Sequence, residues 1–202
     1  MSTWLITGCS TGLGHAFAEA ALDAGHDVVV TARNLEAVTP LTDRYPASAL
    51  PVALDVTDDG QVADAMRAAE QRFGPVDVLI NNAGYGYRAA VEEGDDADVR
   101  RLFDTQLFGS VRMIKAVLPG MRARRTGTIV NLSSIGAHVA PEGSGYYAAV
   151  KAAIEALTLS LRKEVAPLGI TAMVVAPGGF RTDFAGRSLT QSATPIADYA
   201  AT

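Results

Sequence analysis

Cysteine is almost absent: Cys9 stands alone in 202 residues, which excludes an internal disulfide and removes any sign of an oxidising compartment. Charge of one sign is never concentrated. The 17 basic and 22 acidic residues are interspersed and leave a net charge of -5, so a nucleic-acid or anionic-membrane surface is not expected and the partner should be a small molecule. Long apolar runs are missing too. The stretch after Met1 is too short for a signal peptide or a membrane span, so a cytoplasmic protein is expected. No group of His, Cys, Asp and Glu has the spacing of metal ligands, and no metal site is expected. There are no repeats or low-complexity tracts.

Short apolar segments are plentiful. The runs "TWLIT" (3–7), "DVVVTA" (27–32), "ALPVALDV" (49–56), "VDVLINN" (76–82), "GTIVNLSS" (127–134) and "ITAMVVA" (170–176) read as strands. Their hydrophobicity is continuous rather than alternating, the pattern of strands covered by helices on both faces. Helical stretches lie between them, among them "HAFAEAALDAG", "DDGQVADAMRAAEQRFG" with Asp58 as its cap, and "AAVKAAIEALTLSLRKEVAPLG", each closed by glycine. Strand and long helix in alternation give the α/β class: a doubly wound parallel sheet of Rossmann type in a single domain. The chain ends in a polar, breaker-rich segment, "GRSLTQSATPIADYAAT", which reads as a mobile loop.

Two features carry chemistry. The first is "TGCSTGLG" (7–14), where Gly8, Gly12 and Gly14 fall between the first strand and the first helix. Glycine permits the tight turn, the approach of a pyrophosphate to the helix N-terminus, and close packing of helix on strand. Ser10 and Leu13 lie in the same cradle. A glycine cluster is also compatible with a bare tight turn.

The second is "GSGYYAAVKAA" (143–153). Positions four apart share a helix face, so Tyr147 neighbours Lys151 whereas Tyr146 diverges from it. A phenol beside an ammonium can act as a proton donor if the cation draws its pKa down from about 10. Alternatively, Tyr147 packs in an interface and Lys151 is a solvated charge.

The glycine spacing, with "NNAG" (81–84), "NLSS" (131–134), "YAAVK" (147–151) and "PGGFRT" (177–182), resembles the short-chain dehydrogenase/reductase family in order and separation from Thr3 to about Asp183. "TGCSTGLG", "TARN" and "PGGFRTDF" resemble the branch that holds steroid and retinoid dehydrogenases and bacterial ketone reductases. The resemblance implies that Tyr147 is the acid/base and that Lys151 tunes it and anchors the cofactor ribose. Ser134, thirteen residues before Tyr147, would polarise the carbonyl, while Ser133 is one residue off. Asp55 and Val56 would meet the adenine, Asn82 with Ala83 and Gly84 the adjoining sugar region, and Thr182 the nicotinamide carboxamide or the phosphates. The family's acidic position at the end of the second strand falls on Ala32 and is followed by Arg33. A guanidinium without a carboxylate suits a 2′-phosphate, so NADP(H) is expected in preference to NAD(H).

The pattern is broken twice. The family's asparagine in the helix before the fifth strand, which supports a water chain to the lysine, is replaced by Gln106. Residues 184–202 are too few and too polar for the family's closing helix and seventh strand, so the C-terminal part reads as incomplete. The expected organisation is a catalytic, NADP-binding unit over 1–183 and the start of a substrate-binding tail over 184–202. The expected function is an NADP(H)-dependent oxidoreductase interconverting a secondary alcohol and a ketone. The alternative is a dinucleotide-binding sensor with impaired turnover; a sugar-nucleotide epimerase would need a large C-terminal substrate domain. A dimer or tetramer is expected from the resemblance and is compatible with the apolar face of "IEALTLSL".

Overall fold

In the computed structural model, which describes residues 1–180, 186 and 188–200, six strands form one parallel sheet. They are β1 (Thr3–Ile6), β2 (Asp27–Ala32), β3 (Ala49–Ala53), β4 (Val78–Asn81), β6 (Gly127–Leu132) and β7 (Ile170–Val175). Their order is β3-β2-β1-β4-β6-β7, so the chain winds outward in one direction from β1 and then returns to build the other half from β4. The crevice at the C-terminal ends of β1 and β4 is the switch point where such sheets bind ligands.

Neighbouring residues along the central strands serve opposite faces. Leu5, Val29, Leu79 and Ile129 join a core with helices α3 (Asp59–Phe73), α5 (Gly109–Arg124) and α7 (Gly145–Val165). Ile6, Val28, Val30 and Ile80 face the other way, against α1 (Gly12–Asp23) and the short α2 (Thr39–Thr42). Each fully buried leucine or isoleucine here contributes about 2 kcal/mol, which is why the strands read as unbroken apolar runs. The edges differ: β3 and β7 alternate, and Met173 and Val175 are exposed. An edge strand lacks a neighbour to cover both faces, so the continuous-run expectation fails there.

The helix ends follow local chemistry. The Asp58 side chain accepts from the N–H groups of Gly60 and Gln61 at the start of α3, and hydrogen bonds from those same two residues hold its carboxyl below the ordinary carboxylate range. Gly74 closes that helix with φ 88°. The segment before β6 is less regular. Helix α4 (Asp96–Phe103) runs into a π-helical turn, Asp104–Phe108, before α5 begins.

One expectation is corrected. Part of the polar tail is ordered as β8 (Leu189–Gln191), which pairs in parallel with β5 (Gly86–Arg88) in a separate two-stranded sheet. Backbone and carboxylate partners hold it despite its polarity. Ser192 Oγ donates to the Glu93 carbonyl at 2.6 Å, and the Ile196 N–H donates to Glu93 Oε1 at 2.7 Å. A second short helix, α6 (Gly136–Val139), follows β6. No helix among the described residues is long and apolar enough to cross a membrane.

Candidate active site

A cleft of about 830 Å³ opens at the C-terminal ends of β1 and β4. Its floor is built by Thr7, at the end of β1. The Thr7 hydroxyl accepts from the N–H groups of Asn82 and Ala83, both at 2.9 Å, and the Asn82 amide donates to the carbonyls of Thr7 and Gly8. The glycine turn and the "NNAG" turn are thereby locked together. Gly8 has φ +72°, and a Cβ there would lie 2.9 Å from Ala83 Cα. A Cβ on Gly14 would lie 2.2 Å from the Gly8 carbonyl oxygen, so α1 could not start where it does with any larger residue.

Gly8, Ser10, Gly12 and Leu13 line the cleft, and Gly14 packs beneath them. Thr11, at the head of α1, makes no side-chain cap, which leaves first-turn N–H groups available to an anion. Further along lie Ala32, exposed Arg33, Asp55, Val56 and the Asn82–Gly84 turn. Asp55 Oδ1 is engaged by the Thr57 N–H and hydroxyl. An extended cradle and an uncapped helix start fit a dinucleotide, and the exposed guanidinium of Arg33 follows Ala32 along it. Thr182 lies outside the described residues.

The same cleft is lined by Ser134, Tyr147, Lys151 and Gln106, and the first three come together. Ser134 Oγ accepts from the Gly136 N–H at 3.0 Å and hydrogen-bonds the Tyr147 hydroxyl. Ser133, buried beside it, points away and donates to Glu155 Oε1 at 2.5 Å. Lys151 is buried; its ammonium donates to the Leu132 carbonyl at 2.9 Å and sits 5.6 Å from the Tyr147 ring centroid.

The electrostatics of the chain alone differ from the expectation. Burial raises the Tyr147 phenol above its ordinary value, and the Ser134 hydrogen bond opposes that rise. Burial also lowers Lys151 to about 8. In the chain alone, without a bound cationic group, the phenol's own desolvation therefore wins over the lowering expected from Lys151.

Gln106 sits within the π-helical turn and is buried. Its Nε2 donates to the Tyr85 carbonyl at 2.6 Å, and its Oε1 has no hydrogen-bond partner among the described residues. Such single turns re-aim side chains at functional sites. Tyr146, by contrast, donates to the Val91 carbonyl and packs against Tyr87. His138 pairs with Glu155 and Cys9 donates to the Ile6 carbonyl; neither stands in the cleft with Tyr147. Tyr85 and Tyr87, from the loop after "NNAG", and Ser188 and Thr190, from the tail expected to meet substrate, also line the cleft, as do Asp98 and Arg101, which were not anticipated. Tyr85 directly follows "NNAG", a signal the sequence did contain; Ser188 and Thr190 arrive only through the β5–β8 pairing. No group of three or more metal-ligating side chains occurs among the described residues.

The family described as short chain dehydrogenase matches residues 2–193. The chain belongs to it. This is a family of NAD(P)-dependent oxidoreductases. The chain is 44% identical over 187 residues to an oxidoreductase of Botryotinia fuckeliana, covering 92% of this chain and 68% of that protein. It spans about two thirds of the length of that relative and of a short-chain dehydrogenase of Penicillium ochrochloron. Among solved structures, a short-chain dehydrogenase from Streptomyces avermitilis superposes with a TM-score of 0.94 at 42% identity, covering 100% of this chain and 76% of that one. A gluconate 5-dehydrogenase from Burkholderia cenocepacia, in complex with NADP and tartrate, gives a TM-score of 0.86 at 33% identity, covering 92% of this chain and 74% of that one.

Proposed function

We propose that the chain is an NADP(H)-dependent oxidoreductase that interconverts a secondary alcohol and a ketone. The observation that carries this reading is the meeting of Ser134, Tyr147 and Lys151 in the same cleft that the glycine turn and Arg33 line. The bound cofactor would supply or accept a hydride. The chain's own residues supply the rest. The Gly8–Gly14 turn and the Asn82–Gly84 turn hold the dinucleotide, and Arg33 binds the 2′-phosphate through charge-assisted hydrogen bonds. Lys151 anchors the cofactor ribose. Ser134 donates toward the substrate oxygen, and Tyr147 gives it the proton in reduction or takes the proton in oxidation. A phenol held above its ordinary value stays protonated through neutral pH, which suits reduction; oxidation should climb as the solution becomes alkaline.

Residues 1–183 form the catalytic unit in this reading, and 184–202 begin the part that covers substrate, since Ser188 and Thr190 line the cleft. The reading includes a cytoplasmic location and a dimer or tetramer, and the exposed Phe108 just before α5 and Leu159 on α7 support the association. The test is incubation with NADPH or NADH and a panel of ketones, keto esters and cyclic ketones. Steady oxidation of NADPH, faster than of NADH, is expected. NADPH binding with no ketone reduced would sink the reading.

A further inference from the structure

Ser134 can aid Tyr147 only while its hydroxyl stays aimed at the phenol, and the turn that carries it is held on two sides. Toward β7, the Ser133 N–H donates to the Val175 carbonyl at 2.8 Å and the Ile135 N–H to the Pro177 carbonyl at 2.9 Å. Toward α7, one carboxylate oxygen takes a side-chain contact from each end of the turn. Glu155 Oε1 accepts from Ser133 Oγ at 2.5 Å and lies 3.2 Å from His138 Nε2. Ser133 precedes Ser134, and His138 lies in α6, whose first residue, Gly136, donates its N–H to Ser134 Oγ. Both ends of the turn therefore converge on one atom. Glu155 is also one helical turn after Lys151, whose carbonyl is 3.4 Å from Ser133 Oγ.

We propose that Glu155 is the positioning residue that fixes Ser134 against Tyr147, with Ser133 and His138 as the two arms through which it acts. This rests on the reading of Ser134 and Tyr147 given above. The carboxylate's remoteness from the cleft is what makes it a positioning rather than a catalytic group. Its side chain is only 19% exposed, so the hydrogen bond with Ser133 is shielded from competing water. His138, exposed and away from Tyr147, gains a role from the same contact, and so does the buried Ser133 that sits one residue from the reactive serine.

Ring-carbon NMR of tyrosine-labelled protein tests this without needing the substrate. The Tyr147 line is identified by its absence from Tyr147→Phe, and NADPH binding and thermal unfolding are followed on the same samples. Ser134→Ala should move that line. Glu155→Ala should move it in the same direction, and the double variant should move it no further than Ser134→Ala alone. Glu155→Gln keeps an acceptor oxygen and should return the line to the wild-type position. NADPH binding should change less than about twofold, because the dinucleotide cradle is untouched. The proposal is overturned if Ser134→Ala moves the line and Glu155→Ala does not, or if the two effects add. If Ser134→Ala itself leaves the line in place, the serine–tyrosine contact fails, and the reading beneath the proposal fails with it. Ser133→Ala removes one arm and leaves the carboxylate, and it decides the matter in the same way should Glu155→Ala not fold.

Discussion

The ammonium of Lys151 donates to the carbonyl of Leu132, 2.9 Å away at the end of β6, and so the one buried lysine of the site is tied to the sheet rather than to a carboxylate. Among the described residues no counter-charge offsets its desolvation, and its pKa falls from 10.5 to about 8.

The fall has a sign that can be checked. Below about pH 8 the amine is charged both folded and unfolded, and the burial cost is fully present. Between there and 10.5 the unfolded chain binds the proton that the folded chain has released, so stability is gained as pH rises. Lys151→Met should therefore be more stable than wild type at neutral pH. Its advantage should shrink above about pH 8 by up to about 1.4 kcal/mol per pH unit. Urea denaturation across that range reads the difference; a constant gap would contradict it.

Gln106 reaches the Tyr85 carbonyl with the full length of its side chain. Asparagine, shorter by a methylene, loses that bond from the same backbone. Gln106→Asn should lose about 1 kcal/mol of stability and turn over more slowly, although it restores the family's residue. Unchanged melting and turnover would show the contact to be idle.

Two glycines separate crowding from backbone strain. Gly14→Ala drives a methyl to 2.2 Å from the Gly8 carbonyl oxygen, so the cradle must shift and NADPH affinity should fall by more than about tenfold. Gly25 has nothing within 4 Å of a new Cβ but carries φ +79°. Gly25→Ala should cost about 1 kcal/mol and leave NADPH binding alone. Fluorescence titration and thermal unfolding distinguish the two; equal effects on binding would be the wrong result.

Cofactor choice rests on Arg33 together with the absence of a carboxylate at Ala32. Arg33→Asp places a carboxylate where a 2′-phosphate would sit and offers a partner to ribose hydroxyls instead. The ratio of kcat/KM for NADPH to that for NADH should drop by about 10- to 100-fold. An unaltered ratio would remove Arg33 from the phosphate site.

Much of this was legible from residue order. All six strands of the main sheet fall within the expected apolar runs; central strands such as β1 and β4 are buried on both faces, whereas the edge strands β3 and β7 alternate. Asp58 marked its helix start through a capping side chain that competes only locally. The tail was misread because polarity describes side chains, whereas β8 is held by backbone pairing to Gly86–Arg88 and by Glu93, partners about a hundred residues away in sequence. For the chain alone, spacing reveals the cation near Tyr147 but not that the phenol's own burial raises its pKa. Glu155 was passed over since nothing in its helical context shows that two residues of another turn converge on one of its oxygens.

The central claim is that the Tyr147 hydroxyl moves the proton. With any ketone that the wild type reduces, Tyr147→Phe should lose at least about 100-fold in kcat while binding NADPH within about threefold of wild type. A Tyr147→Phe variant that oxidises NADPH at the wild-type rate would contradict the account.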